Sequence, residues 1–144
     1  MDTSTEQLVP GLIQYWLIDR QIVVYKASAV SRLAVDTWVA SVKEVMKNWP
    51  ADRPYLALHE FTDKHIMLTP YARKRAEELS REPLHVPGYA AIILPQSFAA
   101  QLIRLFLRAQ RFRGVENQAF FSVDEGLKWL KTKVAVLARA VAKQ

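Results

Sequence analysis

The chain has 144 residues, of which 51% are hydrophobic and none is cysteine. Such a length makes one domain that buries roughly two-thirds of its unfolded surface, so no staple or metal is needed for stability. The absence of thiols excludes disulfides, thiolate metal centres and cysteine nucleophiles. The net charge of +6 is unevenly spread: residues 1–96 hold eleven Lys/Arg against eleven Asp/Glu, whereas 97–144 hold nine against Glu116, Asp124 and Glu125. The excess lies in the last third, where it either solvates one face or attracts anions.

Residues 1–12 read as a flexible leader: Asp2 and Glu6 stand where a secretory signal would be basic, and an apolar core is missing. Residues 13–144 read as a single α/β domain, with no repeat, low-complexity tract or linker dividing them. No apolar run approaches the ~20 residues of a membrane-spanning helix, so a soluble, cytoplasmic protein is expected.

Tyr15–Ile18 and Ile22–Lys26 flank Asp19, Arg20 and Gln21, which predicts an N-terminal β-hairpin without an Asn-Gly or Asp-Gly turn. From Ser31 onward Val35, Trp38, Val39, Val42, Val45, Met46 and Trp49 recur at helical spacing, until Pro50 stops the run. Tyr55–Phe61 reads as a buried strand, with Leu56 and Leu58 opposite Tyr55, Ala57 and Phe61. Thr69 and Pro70 supply a cap and a first residue for a surface helix running to about Glu82. Pro83, Pro87 and Gly88 break the chain before an apolar strand, Tyr89–Leu94.

Ser97 caps a helix with Phe98, Leu102, Leu105, Phe106 and Ala109 on one side and Arg104, Arg108 and Arg111 on another, with Arg113 just beyond its end. Gln118–Phe121 is the last strand. Ser122 and Glu125 form a capping box for a final helix carrying Leu127, Leu130, Val134, Leu137, Ala138 and Val141. The order ββαβαβαβα predicts a layered α/β domain with a mostly parallel sheet of four to five strands, an N-terminal hairpin and about four helices.

The ending Phe120, Phe121, Ser122, Asp124, Glu125, Gly126, Leu127, Trp129 and Leu130, with the preceding apolar strand Ala90–Leu94, resembles the SpoIIAA-like proteins of the STAS superfamily. The resemblance spans about residues 13–132. It implies a small regulatory or ligand-binding domain without catalytic activity, structurally akin to the lipid-carrying CRAL-TRIO domains. Anti-sigma-factor antagonists of that superfamily carry a phosphorylatable Asp-Ser-Ser-Gly-like step after the central strand. Here the corresponding stretch, His59 to His65, has none. Thr62 and Thr69 are the nearby hydroxyls, and Thr69 is accounted for as a cap.

His59, Glu60, Thr62, Asp63 and His65 make a candidate site at a strand's C-terminal end, where open α/β sheets place ligands. Imidazoles beside carboxylates suit zinc or proton transfer. The spacing matches no ligand motif, however, and Lys64 sets a cation among them, so no metal, cofactor or catalytic residue is assigned. Gly-x-Ser-x-Gly is absent, and four glycines cannot build a phosphate cradle. Trp16, Trp38, Trp49 and Trp129 read as core, with a ligand-lining role as the alternative.

The expectation is a non-enzymatic STAS-like module acting through a protein partner or an apolar small molecule. The alternative is a peripheral membrane or lipid-binding domain in which Arg104, Arg108, Arg111 and Arg113 meet an anionic surface. A small metal-dependent enzyme ranks third. Nucleic acid fits less well, since no recognition motif accompanies the charge. A homodimer is left open.

Overall fold

The computed structural model describes residues 5–29, 31–61, 69–79, 81–96 and 115–134. It is an α/β domain built on a six-stranded mixed sheet whose spatial order is the chain order. The strands are β1 Glu6–Val9, β2 Leu12–Leu17, β3 Ile22–Ala27, β4 Tyr55–Phe61, β5 Gly88–Ile93 and β6 Val115–Phe120. The helices are α1 Arg32–Lys47 and α2 Pro70–Leu79, each followed by the next strand, and α3 Val123–Lys131 after β6. The pairs β1–β2 and β2–β3 are antiparallel, while β3–β4, β4–β5 and β5–β6 are parallel.

The predicted hairpin is present as β2 and β3, joined by a turn in which Ile18, Asp19 and Arg20 all take positive φ of 52° to 62°. The Gln21 amide closes this turn on the carbonyls of Leu17 and Ile18. Left-handed backbone is tolerated by Asp19 but is costly for the β-branched Ile18, so the turn reverses the chain with strain at that residue.

Strand and helix numbers differ from expectation. The sheet has six strands instead of four or five, and the added one, β1, lies within residues 1–12. It is a short, polar edge whose pairing with β2 is carried by backbone, with a register shift between Gln7 and Val9. Gly11 turns the chain between them at φ +85°, with its amide neighbourhood pressed against Ala29 so closely that a Cβ would sit 2.4 Å from the Ala29 Cβ. Three helices occur among the described residues instead of about four; the helix expected from Ser97 lies outside them. Among the described residues no helix is long and apolar enough to cross a membrane.

The caps behave as their chemistry dictates. Ser31 accepts from the Ala34 amide, Thr69 from the Ala72 amide and Ser122 from the Glu125 amide, each satisfying a donor the first helical turn leaves unpaired. The sheet is covered on both sides. On one face Val23, Tyr25, Ala57, Phe61, Ala90 and Ile92 meet α1 and, through Leu79, α2. On the other face Ile22, Val24, Leu56, Leu58, Ala91 and Ile93 pack with Leu127, Trp129 and Leu130 of α3.

Helix α3 approaches so closely because Gly126 faces the strands. A Cβ there would stand 2.6 Å from the Ile93 Cδ1, 3.3 Å from the Ala91 Cβ and 3.4 Å from the Leu58 Cδ1. A methyl group would displace the mobile tip of Ile93, but a longer side chain has nowhere to go. Gly126→Leu is expected to cost about 2–3 kcal/mol through overpacking, measured as a lowered urea midpoint with unchanged slope. An unaltered midpoint would mean that α3 is not seated on β4 and β5 as described.

Candidate functional site

Period-two alternation along β4 decides how the sequence-predicted cluster is arranged. His59 shares the face of Tyr55, Ala57 and Phe61 and is 5% exposed, whereas Glu60 turns to the opposite face and is half-buried. The two are therefore separated by the sheet. Thr62, Asp63 and His65 lie outside the described residues, as do Arg104, Arg108, Arg111 and Arg113. Among the described residues no three His, Asp or Glu side chains gather in a way that could hold a metal ion.

His59 sits in an aromatic box. Its ring stacks on Tyr25 at 5.5 Å and on Phe61 at 6.3 Å, and the Trp38 ring meets it edge-on at 5.5 Å. The Trp38 Nε1–H donates to His59 Nδ1 over 3.0 Å. An Nδ1 that accepts carries no hydrogen, so in the neutral ring the proton is on Nε2. Burial holds the imidazole down to about 4 from its ordinary 6.5. The Trp38 contact works in the same direction, because a proton on Nδ1 would face the indole N–H.

Two tyrosines of the same layer contrast sharply. The Tyr25 hydroxyl is bonded to the Ser41 Oγ at 2.8 Å and accepts from the Gln14 Nε2 at 3.1 Å, closing a triangle with the Gln14–Ser41 contact of 3.2 Å. The Tyr55 hydroxyl is buried and has no hydrogen-bond partner among the described residues. Burial pushes both phenols above their usual range, with the Tyr25 bonds partly offsetting it there.

Tyr55 and His59 line a cavity of about 80 Å³ between α1, α2 and the sheet. Trp38, Val42 and Met46 come from α1, and Ala76 and Leu79 from α2. Ala90 and Ile92 of β5 with Val115 and Asn117 of β6 are the other described lining residues. Two alanines are the smallest residues of this lining: Ala90, which lies between Ala57 and Asn117 in the sheet register, and Ala76 of α2. Of the four tryptophans only Trp38 lines it. Trp16 and Trp49 stack on each other at 5.8 Å, and Trp129 packs on the opposite face against Tyr89 and Phe120.

Sequence reasoning grouped His59 with its loop neighbours and missed its pairing with Trp38. The alternation that set Phe61 inward also sets His59 inward and Glu60 outward, and Trp38 lies on the apolar stripe of α1, so the signal was present. The cavity had no comparable signal, since its lining comes from five elements.

No family model, curated protein or solved structure matches this chain. Fold and site together define an α/β domain with an apolar cavity that carries a few uncharged polar groups.

Two outcomes follow from the burial. Tyr55→Phe deletes a hydroxyl that has lost water without gaining a partner, and it is expected to raise stability by about 1 kcal/mol in thermal or urea unfolding. For His59, the unfolded chain takes up a proton as pH falls below 6.5, whereas the folded ring resists until about 4. Stability is therefore lost on acidification through that window, by roughly 3 kcal/mol in total. His59→Phe should flatten the decline between pH 6.5 and 5. An identical slope in the variant would assign the decline to other groups.

Proposed function

We propose that this chain is a non-enzymatic ligand-binding module of the SpoIIAA-like, STAS kind, holding an apolar small molecule between α1, α2 and the sheet. The observation that supports this reading is the cavity itself, about 80 Å³ and lined mainly by aliphatic and aromatic side chains with Trp38, His59, Tyr55 and Asn117 among them. Binding sites for small molecules have this composition: an apolar wall for affinity and a few polar groups for orientation. Binding fits the lining better than catalysis does, because its titratable groups, His59 and Tyr55, are held in their neutral forms by burial.

Organic extraction of protein purified under native conditions, followed by mass spectrometry, tests the reading. A single apolar species near one equivalent is expected, and Ala76→Leu, which fills the cavity, should remove it while the protein stays folded. Protein that is empty on extraction and gives no saturable binding of small hydrocarbons would overturn the proposal.

A further inference from the structure

We infer that the groove beside the β2–β3 turn is a second binding site, one that takes a small zwitterion with an apolar body, of the class of an α-amino acid with an apolar or aromatic side chain. Arg20 and Arg53 would hold its oxyanion, and Glu44 and Asp19 its ammonium. The groove shares no described residue with the inner cavity, so the inference stands apart from the reading of that cavity.

The groove measures about 460 Å³ and lies where the parallel strands begin, between the β2–β3 turn, the last turns of α1 and residues 49–53. Small-molecule sites are of this size. Trp16, Val45, Trp49 and Pro50 supply its apolar part. Trp49 is fixed, its Nε1–H donating to the Pro54 carbonyl over 3.0 Å and its ring meeting Tyr55 edge-on at 4.9 Å. Trp16 stacks on Trp49 at 5.8 Å, with 26° between the ring planes. The two indoles thus make a rigid wall that an apolar body can cover at little entropic cost.

Four charges border the wall, the guanidiniums of Arg20 and Arg53 and the carboxylates of Asp19 and Glu44. None of them is ion-paired to another. Arg53 has a 3.4 Å contact with Asp52, its exposed chain neighbour, and the other three make no ion pair among the described residues. Opposite charges that border one hollow without meeting leave a gap that a molecule carrying both signs can close. A plain anion or cation would satisfy one pair and be repelled by the other.

Two of these charges are held in place ahead of any ligand. The Arg20 guanidinium carbon lies 4.5 Å from the centroid of the Trp16 ring. It is brought there by the turn in which Ile18, Asp19 and Arg20 take φ of 52° to 62°. Strain of this kind persists where the surrounding structure enforces it, and it gathers at binding sites. A guanidinium stacked on a ring keeps its N–H edge for an oxyanion. Asn48 pins Glu44, its Nδ2 donating to the Glu44 Oε1 over 2.9 Å and to the Glu44 carbonyl over 3.0 Å. The carboxylate stands at the C-terminal end of α1, where the last carbonyls also favour a cation. Lys47, the basic residue of that turn, is not among the described lining residues.

The test titrates the intact chain at pH 7 and low salt with three probes of one skeleton, L-tryptophan, tryptamine and indole-3-propionate, and reads the indole N–H signals of Trp16 and Trp49 by NMR. The zwitterion should bind about tenfold more tightly than either singly charged probe. Arg20→Gln should lower it to the level of tryptamine while leaving tryptamine within about twofold. Glu44→Gln should lower it to the level of indole-3-propionate without weakening indole-3-propionate. Arg53→Gln repeats the first comparison with the Arg20–Trp16 stack and its turn intact. The three altered side chains are exposed or half-buried, so the variants keep the fold.

A singly charged probe that equals the zwitterion, or all three probes weakening together in the variants, would overturn the inference. So would shifts confined to the Trp38 indole, which would put the probes in the inner cavity, and so would silence at both Trp16 and Trp49.

Discussion

Strand β4 is apolar on both of its faces, and that obliges the chain to supply a helical layer above and below the sheet. Tyr55, Ala57, His59 and Phe61 need cover on one side, Leu56 and Leu58 on the other, while the backbone between them is paired to β3 and β5. The first requirement is met by α1 and α2, the second by α3. Neither layer is optional: removing one would expose the most buried strand of the molecule on that side. Gly126 belongs to the same constraint, since it sets how near α3 can come to Leu58, Ala91 and Ile93.

Within the layer under α1, the apolar contacts are non-directional and would tolerate some sliding of the helix along the strands. The polar contacts are directional. Ser41 reaches Tyr25 on β3, and Trp38 reaches His59 on β4, so two points less than one helical turn apart tie α1 to two neighbouring strands. A third tie, the carboxylate of Asp36, receives the Tyr71 hydroxyl and the Arg75 Nε of α2, locking the two helices to each other. Small polar groups in an apolar interface thus fix register where hydrophobic packing alone leaves it loose.

How far the sequence carries depends on how a residue's neighbours are chosen. Elements built from local pattern were legible: the helical stripe that begins at Val35, the caps at Thr69 and Ser122, and the two-faced strand Tyr55–Phe61 all stand where the spacing put them. Strand β1 was not, because Glu6 and Gln7 have the polarity of a leader and become a strand only by pairing with β2. Strand β6 begins three residues earlier than predicted, at Val115, since Glu116 and Gln118 sit on the exposed side of an edge strand and dilute its apolar signal. The Tyr55–His59 cavity lay beyond reach for a different reason. Its described lining is drawn from α1, α2, β4, β5 and β6, and meeting across elements is a property of the assembled layers.

The sheet keeps the strands in the order in which the chain is made. Each strand pairs with the one synthesised before it, and no later segment has to be inserted between two that are already joined. Loop closures stay modest, and a growing edge is always the one that the next segment is nearest to. A ribosome releasing this polypeptide from its N-terminus could therefore have the hairpin in place before β4 emerges, with β5 and β6 laid down in turn. Assembly by accretion leaves the two-sided core around β4 incomplete until α3, the last of the described helices, has been delivered.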